Sequence, residues 1–473
     1  MGLSMSALED RFAELEREMT GEAERLTDLG NARRLVQKHG RDLIHCRSHK
    51  CWYIWDGTRW RRDETGEIYR RAKDTARAIW EEAATASDQT TRKDLGKHAA
   101  ASEAEPRMRA MVAMAETEPE IAVSPSMLDA NPDLLNCLNG TLDLATVTLN
   151  AHEPRDLITK LAPVQFDPMA CSVWWEFMLR RQIPDPEVRA FLARLAGYSL
   201  SGRPEADVVP FIHGPEAAGK TTYTEALRRT LGDYARVADF RTFLRGRGRD
   251  GASHTEDLVR LEGARLVVAA EVQEGAALDE GTLKKLSGGE SYLARGLHQS
   301  SREIAPQFVV YLVSNDRPKV RDDDAATWRR LVTVPFDRTV PEKKRRPHLR
   351  ARLVNPEVCG SAVLAWAVRG LEDYRHGGLR APDAVRNATA AYKDSMNPLK
   401  QGWLEECCET DEEYSEEFSR LWASWRAWAE DNLKQRDHLT KHEFTDRLTK
   451  LGFEAKVNSR VAIRFGVRLR NQA

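Results

Sequence analysis

No run in the 473-residue sequence approaches the roughly 20 apolar residues of a membrane-spanning helix, so no bilayer crossing is expected. The first residues, MGLSMSALEDRFAELEREM, lack the apolar stretch of a secretory signal and read as a charged amphipathic helix, a packing or oligomer arm or a plain surface helix. Gly2 follows Met1, but nothing else of a lipidation context accompanies it. Cysteine is sparse and odd in number, seven in all, which argues against a disulfide framework and for a reducing cytoplasm. Excess charge is also missing. At −1, whole-chain electrostatics say nothing about a nucleic-acid partner.

What is present fits a globular protein of several domains. Apolar residues make up 41% and charged ones 31%, and the length exceeds the ~250–300 residues that one core sustains. The charge is uneven: residues 405–417 carry acids only, whereas 241–249 (RTFLRGRGR), 343–352 (KKRRPHLRAR) and the last thirty residues are basic. Each such patch alone reads as a solvated face.

The chain is organised around residues 208–227, VVPFIHGPEAAGKTTYTEAL. An apolar, β-branched run predicts a buried strand, and the helix opens at Thr221. Between them Gly214, Pro215, Glu216, Ala217, Ala218, Gly219, Lys220 and Thr221 match G-x-x-x-x-G-K-[ST], with Thr222 following. Gly214 and Gly219 let backbone N–H groups turn toward phosphates, and the helix N-terminus adds partial positive charge. Lys220 is suited to β- and γ-phosphates and the Thr221 hydroxyl to Mg²⁺. A nucleoside triphosphate is the expected ligand.

Elsewhere the pattern is coarser. CWYIWDGTRWRRDETG predicts a β-hairpin turning at Asp56–Gly57, with helices on either side. Its aromatics suit either a core face or base stacking. Cys46, His49 and Cys51 lie close together but lack a second ligand pair for zinc. Residues 85–130 look helical as far as Ser124, 134–168 alternate like short strands around Asn139–Gly140, and helices start at Val173 and Pro186. Ser201 to Pro204 suggest a boundary. Downstream, residues 266–270 form the continuous apolar run of a buried parallel strand, with Glu271 at its carboxyl end, where a carboxylate holds Mg²⁺ through water or orients the attacking water. FVVYLVSN ends on Asn315, placed to bond the γ-phosphate or the lytic water, or else a turn residue. ATWRRLVTVPFD puts Arg329 and Arg330 before a further strand, and a guanidinium supplied across a subunit boundary serves as a finger.

Taken in order, the hairpin WYIWDGTRWRRDETGE, LLNCLNGTLDL, GYSLSG, GPEAAGKTT, GARLVVAAE, LKKLSGGE, LVSNDRP and TWRRL–PF resemble superfamily 3 helicases, and more closely the phage- and plasmid-associated primase-helicases related to the poxvirus primase-helicase. The resemblance implies an α/β P-loop ATPase core with an AAA+-like parallel sheet, a mainly helical N-terminal domain and a C-terminal winged helix. The expected divisions are an N-terminal helix (1–25), a helicase-associated domain (26–204), the ATPase (205–345), a helical extension (346–404) and the winged-helix-like end (405–473). It implies ATP and Mg²⁺ as cofactors, with Lys220, Glu271, Asn315, Arg329 and Arg330 in catalysis and Thr221 and Glu271 at the metal. Lys284, Lys285, Arg295 and His298 fall in or near the segment resembling a DNA-gripping hairpin.

The implied activity is 3′-to-5′ DNA unwinding by a homo-oligomeric ring, usually a hexamer, on single-stranded and forked DNA, in replication of a phage, plasmid or other mobile element. The setting is the cytoplasm of a bacterium or phage-infected cell. The alternative is a nucleotide-switched DNA-binding or assembly ATPase without processive unwinding. A P-loop kinase would leave the basic hairpin and WRR without a role. About 25 residues precede the helicase-associated region, too few for a primase domain. Two departures from the resemblance stand out: Glu271 is flanked by Ala270 and Val272 where relatives carry two adjacent acids, and Ala218 stands where many have Asn. Glu274 is then a candidate to assist Glu271. The end of the chain reads helix, helix, strand, strand and turns basic, which suits a DNA-binding or a protein-docking winged helix, the latter toward other replication proteins.

Overall fold

The computed structural model describes residues 25–245, 257–271, 275–294, 302–320, 324–397, 399–433, 438–458 and 461–470. Helix α1 (Asp28–His39) opens on Thr27, whose hydroxyl accepts from Gly30 N at 3.1 Å. An antiparallel meander follows, β1 (Leu43–Cys46), β2 (Cys51–Trp55) and β3 (Trp60–Arg62). Trp55 pairs with Trp60, and Asp56 Oδ1 accepts from the N–H of Thr58 and Arg59, so the expected hairpin turns where the Asp–Gly pair stands. Trp52, Tyr53, Ile54 and Trp60 are buried, which makes these aromatics core. Cys46 pairs with Cys51 across β1 and β2, and His49 Nδ1 lies 2.9 Å from the Tyr53 hydroxyl.

Helices α2 (Glu67–Thr85), α3 (Gln89–Ser102) and α4 (Glu105–Ala115) complete this region. The helical stretch stops at Ala115 rather than near Ser124, because Pro119 disfavours helical backbone just before it. A second meander, β4 (Leu134–Cys137), β5 (Gly140–Asp143) and β6 (Thr148–Asn150), leads to α5 (Val173–Gln182) and α6 (Pro186–Leu200). Ser172 and Asp185 cap these two helices, at the starts the sequence indicates.

The central unit alternates strands and helices: β7 (Val209–His213), α7 (Lys220–Leu231), β8 (Ala235–Asp239), β9 (Leu266–Ala270), α8 (Glu280–Ser287), the hairpin β10 (Tyr292–Ala294) and β11 (Arg302–Ile304), β12 (Val309–Ser314), α9 (Ala325–Arg330) and β13 (Leu331–Pro335). Five of these strands form a parallel sheet ordered β13-β7-β12-β9-β8. Successive side chains point to opposite faces, and both faces are buried. Ile212, Leu266, Val268, Tyr311 and Val313 enter one core, while Phe211, Val267, Ala269, Val310 and Leu312 enter the other. That double burial explains the near-continuous apolar runs.

Helices α10 (Pro347–Val354), α11 (Ser361–Gly377) and α12 (Asp383–Ser395) follow. The first core takes in Leu135 and Leu142 of the second meander, Leu192 and Leu195 of α6, and Val363 and Leu364 of α11, so the turn at 201–204 does not interrupt it. Helices α6 and α11 cross through two glycines. A Cβ on Gly197 would lie 2.1 Å from Leu371 N, and one on Gly370 would lie 1.9 Å from Ala193 O. Arg265 fastens the end of α6 to β4. Its buried guanidinium donates to Leu200 O at 2.7 Å and to Leu134 O, and lies 4.6 Å over the Tyr234 ring. Burial pulls its pKa down, yet a guanidinium stays charged.

The C-terminal unit has its own core around Trp403, Trp425, Phe444 and Val467. Its elements are β14 (Cys408–Glu417), α13 (Phe418–Asn432), α14 (Lys441–Lys450), β15 (Ala455–Asn458) and β16 (Val461–Leu469), with sheet order β14-β16-β15. The two helices and two strands agree with the sequence reading. The acidic run adds a third strand, which cross-strand pairing permits: Glu409 faces Arg468, with an ion pair at 2.6 Å, and Arg468 lies 3.7 Å over Tyr414. Among the described residues, no helix is long and apolar enough to cross a membrane.

Candidate active site at the carboxyl ends of the strands

The loop 214–219 leaves the carboxyl end of β7 and feeds α7, whose N-cap is Gly219 in left-handed backbone (φ 90°). Gly214 has φ 153°, and a Cβ there would lie 2.1 Å from Phe336 O, so neither glycine accepts a larger residue without displacement. The loop is braced from outside. Phe336 N donates to His213 O at 2.7 Å and Val340 N to Ala217 O at 3.1 Å. The Gln182 amide, turned to donate, reaches Ala218 O at 3.2 Å and Arg338 O at 2.6 Å.

Lys220 is buried, and its ammonium is held on three sides. It donates to Gly214 O at 2.6 Å, Pro215 O at 2.7 Å and Asn315 Oδ1 at 2.6 Å. Burial lowers its pKa, and Glu216 acts in the opposite direction. His213, just before the loop, is also pulled below its usual range, first by burial and then by Arg317 and Lys220. Burial leads at both groups, and the loop closes around one buried ammonium. The start of α7 has no side-chain cap, which leaves backbone N–H groups directed at the loop.

Asn315 and Glu271 arrive on neighbouring strands. Ser314 pairs with His213, which sets Asn315 beside Gly214, and Val313 pairs with Ala270, which sets Glu271 at the adjoining strand end. Glu271 is exposed and has φ 69°, a backbone region that non-glycine residues rarely adopt, and its N–H is held by Val313 O at 3.0 Å. Strain of this kind concentrates at functional positions. Thr221 is exposed on the first turn of α7, and Thr222 half-buried. A positive loop, a helix N-terminus, a hydroxyl and a carboxylate together can take a polyphosphate and a divalent cation.

Arg329 and Arg330 lie elsewhere. They end α9 just before Leu331, which pairs with Val209 at the start of β7, whereas Pro335 pairs with His213 beside the loop. The length of β7 thus separates them from Lys220, roughly 13 Å at the rise of a strand. Asp207 holds Arg330 at 3.1 Å and Arg329 more loosely at 3.6 Å; Arg329 is 69% exposed and Arg330 15%. Lys284 reaches Asp324 Oδ2 at 2.6 Å, the residue that caps α9, while Lys285 is exposed on α8. Arg295, His298 and Glu274 lie outside the described residues. Gln182, Asp207 and Asp324, which position the loop and the arginines, carry no signal in the sequence, since each acts on a segment distant in the chain. Among the described residues, no cluster of three His, Cys, Asp or Glu is arranged to hold a metal ion.

Residues 32–182 match the family model described as D5 N terminal like. The chain is similar to Putative helicase L207/L206 of Acanthamoeba polyphaga mimivirus, 29% identical over 46% of this chain and 23% of that protein. It is also similar to Putative helicase 022R of Frog virus 3 (isolate Goorha), 27% identical over 53% and 27%, and to Putative helicase 121R of Invertebrate iridescent virus 3, 24% identical over 68% and 37%. The matched regions therefore span about a quarter to a third of those relatives. Among solved structures, the A form apo structure of the NrS-1 C terminal region gives a TM-score of 0.48 at 10% identity, over 91% of this chain and 98% of that one, too loose a likeness to define the fold.

Proposed function

We propose, from its place among the phage and viral primase-helicase-like proteins, that the chain binds ATP with Mg²⁺ at residues 214–222 and uses its hydrolysis to unwind DNA in replication. The observation that carries this reading is the Lys220 ammonium, clasped by two loop carbonyls and Asn315 at the carboxyl ends of adjacent parallel strands. In this reading phosphate oxygens replace those carbonyls, Lys220 neutralises charge developing on the γ-phosphoryl group, and backbone N–H groups of the loop hold the β-phosphate. Thr221 and Glu271 would hold Mg²⁺, which would offset phosphate charge, and Asn315 orients the water. Ala218 supplies no side-chain donor, which leaves more of that task to Asn315.

The arginines support a shared site. In their own subunit they stand at the far end of β7, so they serve a neighbour's nucleotide in a ring, with hexamer and 3′-to-5′ movement as the forms the reading adopts. Arg329, the more exposed and the less tightly held, is the finger, and Arg330 is its anchor on Asp207. DNA contacts are assigned to the hairpin β10–β11 and to Lys285 on the preceding α8, with Arg295 and His298 kept as candidates from the resemblance, while Lys284 steadies α9 through Asp324. The C-terminal β-α-α-β-β unit is read as a winged helix that binds DNA or a replication partner.

Two measurements test this. A 3′-tailed duplex with a labelled strand should be separated only with hydrolysable ATP; ATP turnover on DNA with no displaced strand would leave a switch-type ATPase instead. Mixing inactive Lys220→Ala protein with inactive Arg329→Ala protein should restore part of the ATPase, because some interfaces then pair an intact loop with an intact arginine. Arg330→Ala should complement no better. Absence of recovery for every mixture would place the arginine function within one subunit.

A further inference from the structure

We infer that the basic segment 343–352, which runs into α10, and the outer face of α5 form a second single-stranded nucleic-acid surface, outside the hairpin β10–β11. This rests on the proposed function only in taking nucleic acid as the polymer acted on. Residues 343–352 hold six cations, Lys343, Arg346, Arg350 and Arg352 among them, all of them exposed. Among the described residues, none of these six makes an ion pair, although surface cations elsewhere in the chain commonly do. Leu353 anchors α10 in the core, with Arg350 and Arg352 exposed on that helix and Lys343, Lys344, Arg345 and Arg346 exposed on the segment just before it.

The aromatic half of the surface comes from α5. Trp174 and Phe177 remain 42% and 48% exposed, on the face opposite buried Trp175 and Met178. Arg352 lies 5.4 Å over the Trp174 ring, which joins the two helices, and Arg181 lies 5.9 Å over Phe177. Unpaired cations beside exposed rings are what a sequence-tolerant single strand requires: cations follow phosphates, and any base stacks on an aromatic face. The surface adjoins the loop directly, since Val340 bonds Ala217 three residues before the cations begin and Gln182 ends α5 on the loop backbone. A strand held here lies next to the nucleotide.

The test uses the full chain and fluorescein-labelled oligo(dT), by anisotropy across a salt series without nucleotide. Reversing three charges (Lys343→Glu, Arg346→Glu, Arg350→Glu) should weaken binding at least about tenfold and reduce the log–log salt slope by about 2, at ~0.7 per single-strand phosphate contact. Trp174→Ala with Phe177→Ala should weaken it by about tenfold with the slope unchanged, as loss of stacking requires. Wild-type affinity and slope in the charge-reversed protein would overturn the inference, as would full affinity in the aromatic double variant. ATP hydrolysis without DNA should persist in both variants; its absence from the unaltered protein would count against the proposed function and leave this surface to the binding data.

Discussion

Lys220→Ala should lower ATP turnover by at least about 100-fold while the protein remains folded. Removing one preorganised charge from a site that stabilises developing negative charge typically costs 10²–10³ in rate. The geometry here points to the upper part of that range. The ammonium is buried, its pKa is lowered by that burial, and it is already held by three oxygens whose place phosphate oxygens would take in the proposed function. Lys220→Arg should not rescue, because the planar fork does not fit between Gly214 O, Pro215 O and Asn315 Oδ1 as a compact ammonium does. Phosphate release measured beside a thermal melt separates chemistry from folding. Near-normal turnover by a folded Lys220→Ala protein would move the site away from this loop.

The second large effect is on stability. Gly370→Val places side-chain atoms where Ala193 O already stands, 1.9 Å from the first added carbon, and the clash is with backbone that no rotamer change relieves. Helices α6 and α11 must then separate, which opens the core that also carries one face of the central sheet. Backbone overpacking of this kind belongs to the exceptional class above about 4 kcal/mol, and a thermal midpoint lower by roughly 10 °C or more is expected. Gly377→Ala on the same helix is the control. Its added carbon meets only the Arg380 side chain, at 2.9 Å, and that guanidinium can swing away. Equal melting points for the two variants would show that the crossing tolerates separation.

These two predictions differ in how far they were legible in the sequence. Lys220 announced itself, because the chemistry of phosphate binding compresses glycines, lysine and threonine into eight consecutive residues. The strands around it were legible for a related reason: burial on both faces leaves continuous apolar runs, ending on Glu271 and Asn315. The α6–α11 crossing was silent, since Gly197 and Gly370 meet only through the fold and each reads alone as an ordinary helix weakness. Arg265 was equally hidden, because its partners are backbone carbonyls of two distant segments. The acidic strand β14 was invisible because local propensity argues against it, and its pairing with β16, where Arg468 meets Glu409, is visible only in the fold. Arg329 and Arg330 were seen as a pair; the difference in how Asp207 holds them belongs to three-dimensional structure alone.

Strand β13 connects the loop to the two arginines. It begins directly after Arg330, and the residue that follows it, Phe336, sets its carbonyl against Gly214 and its N–H on His213 O. Five residues in a packed sheet are too stiff to stretch. If the chain acts in the ring proposed above, a loop that opens or closes on its own nucleotide would shift, through β13, the arginine offered to the next one.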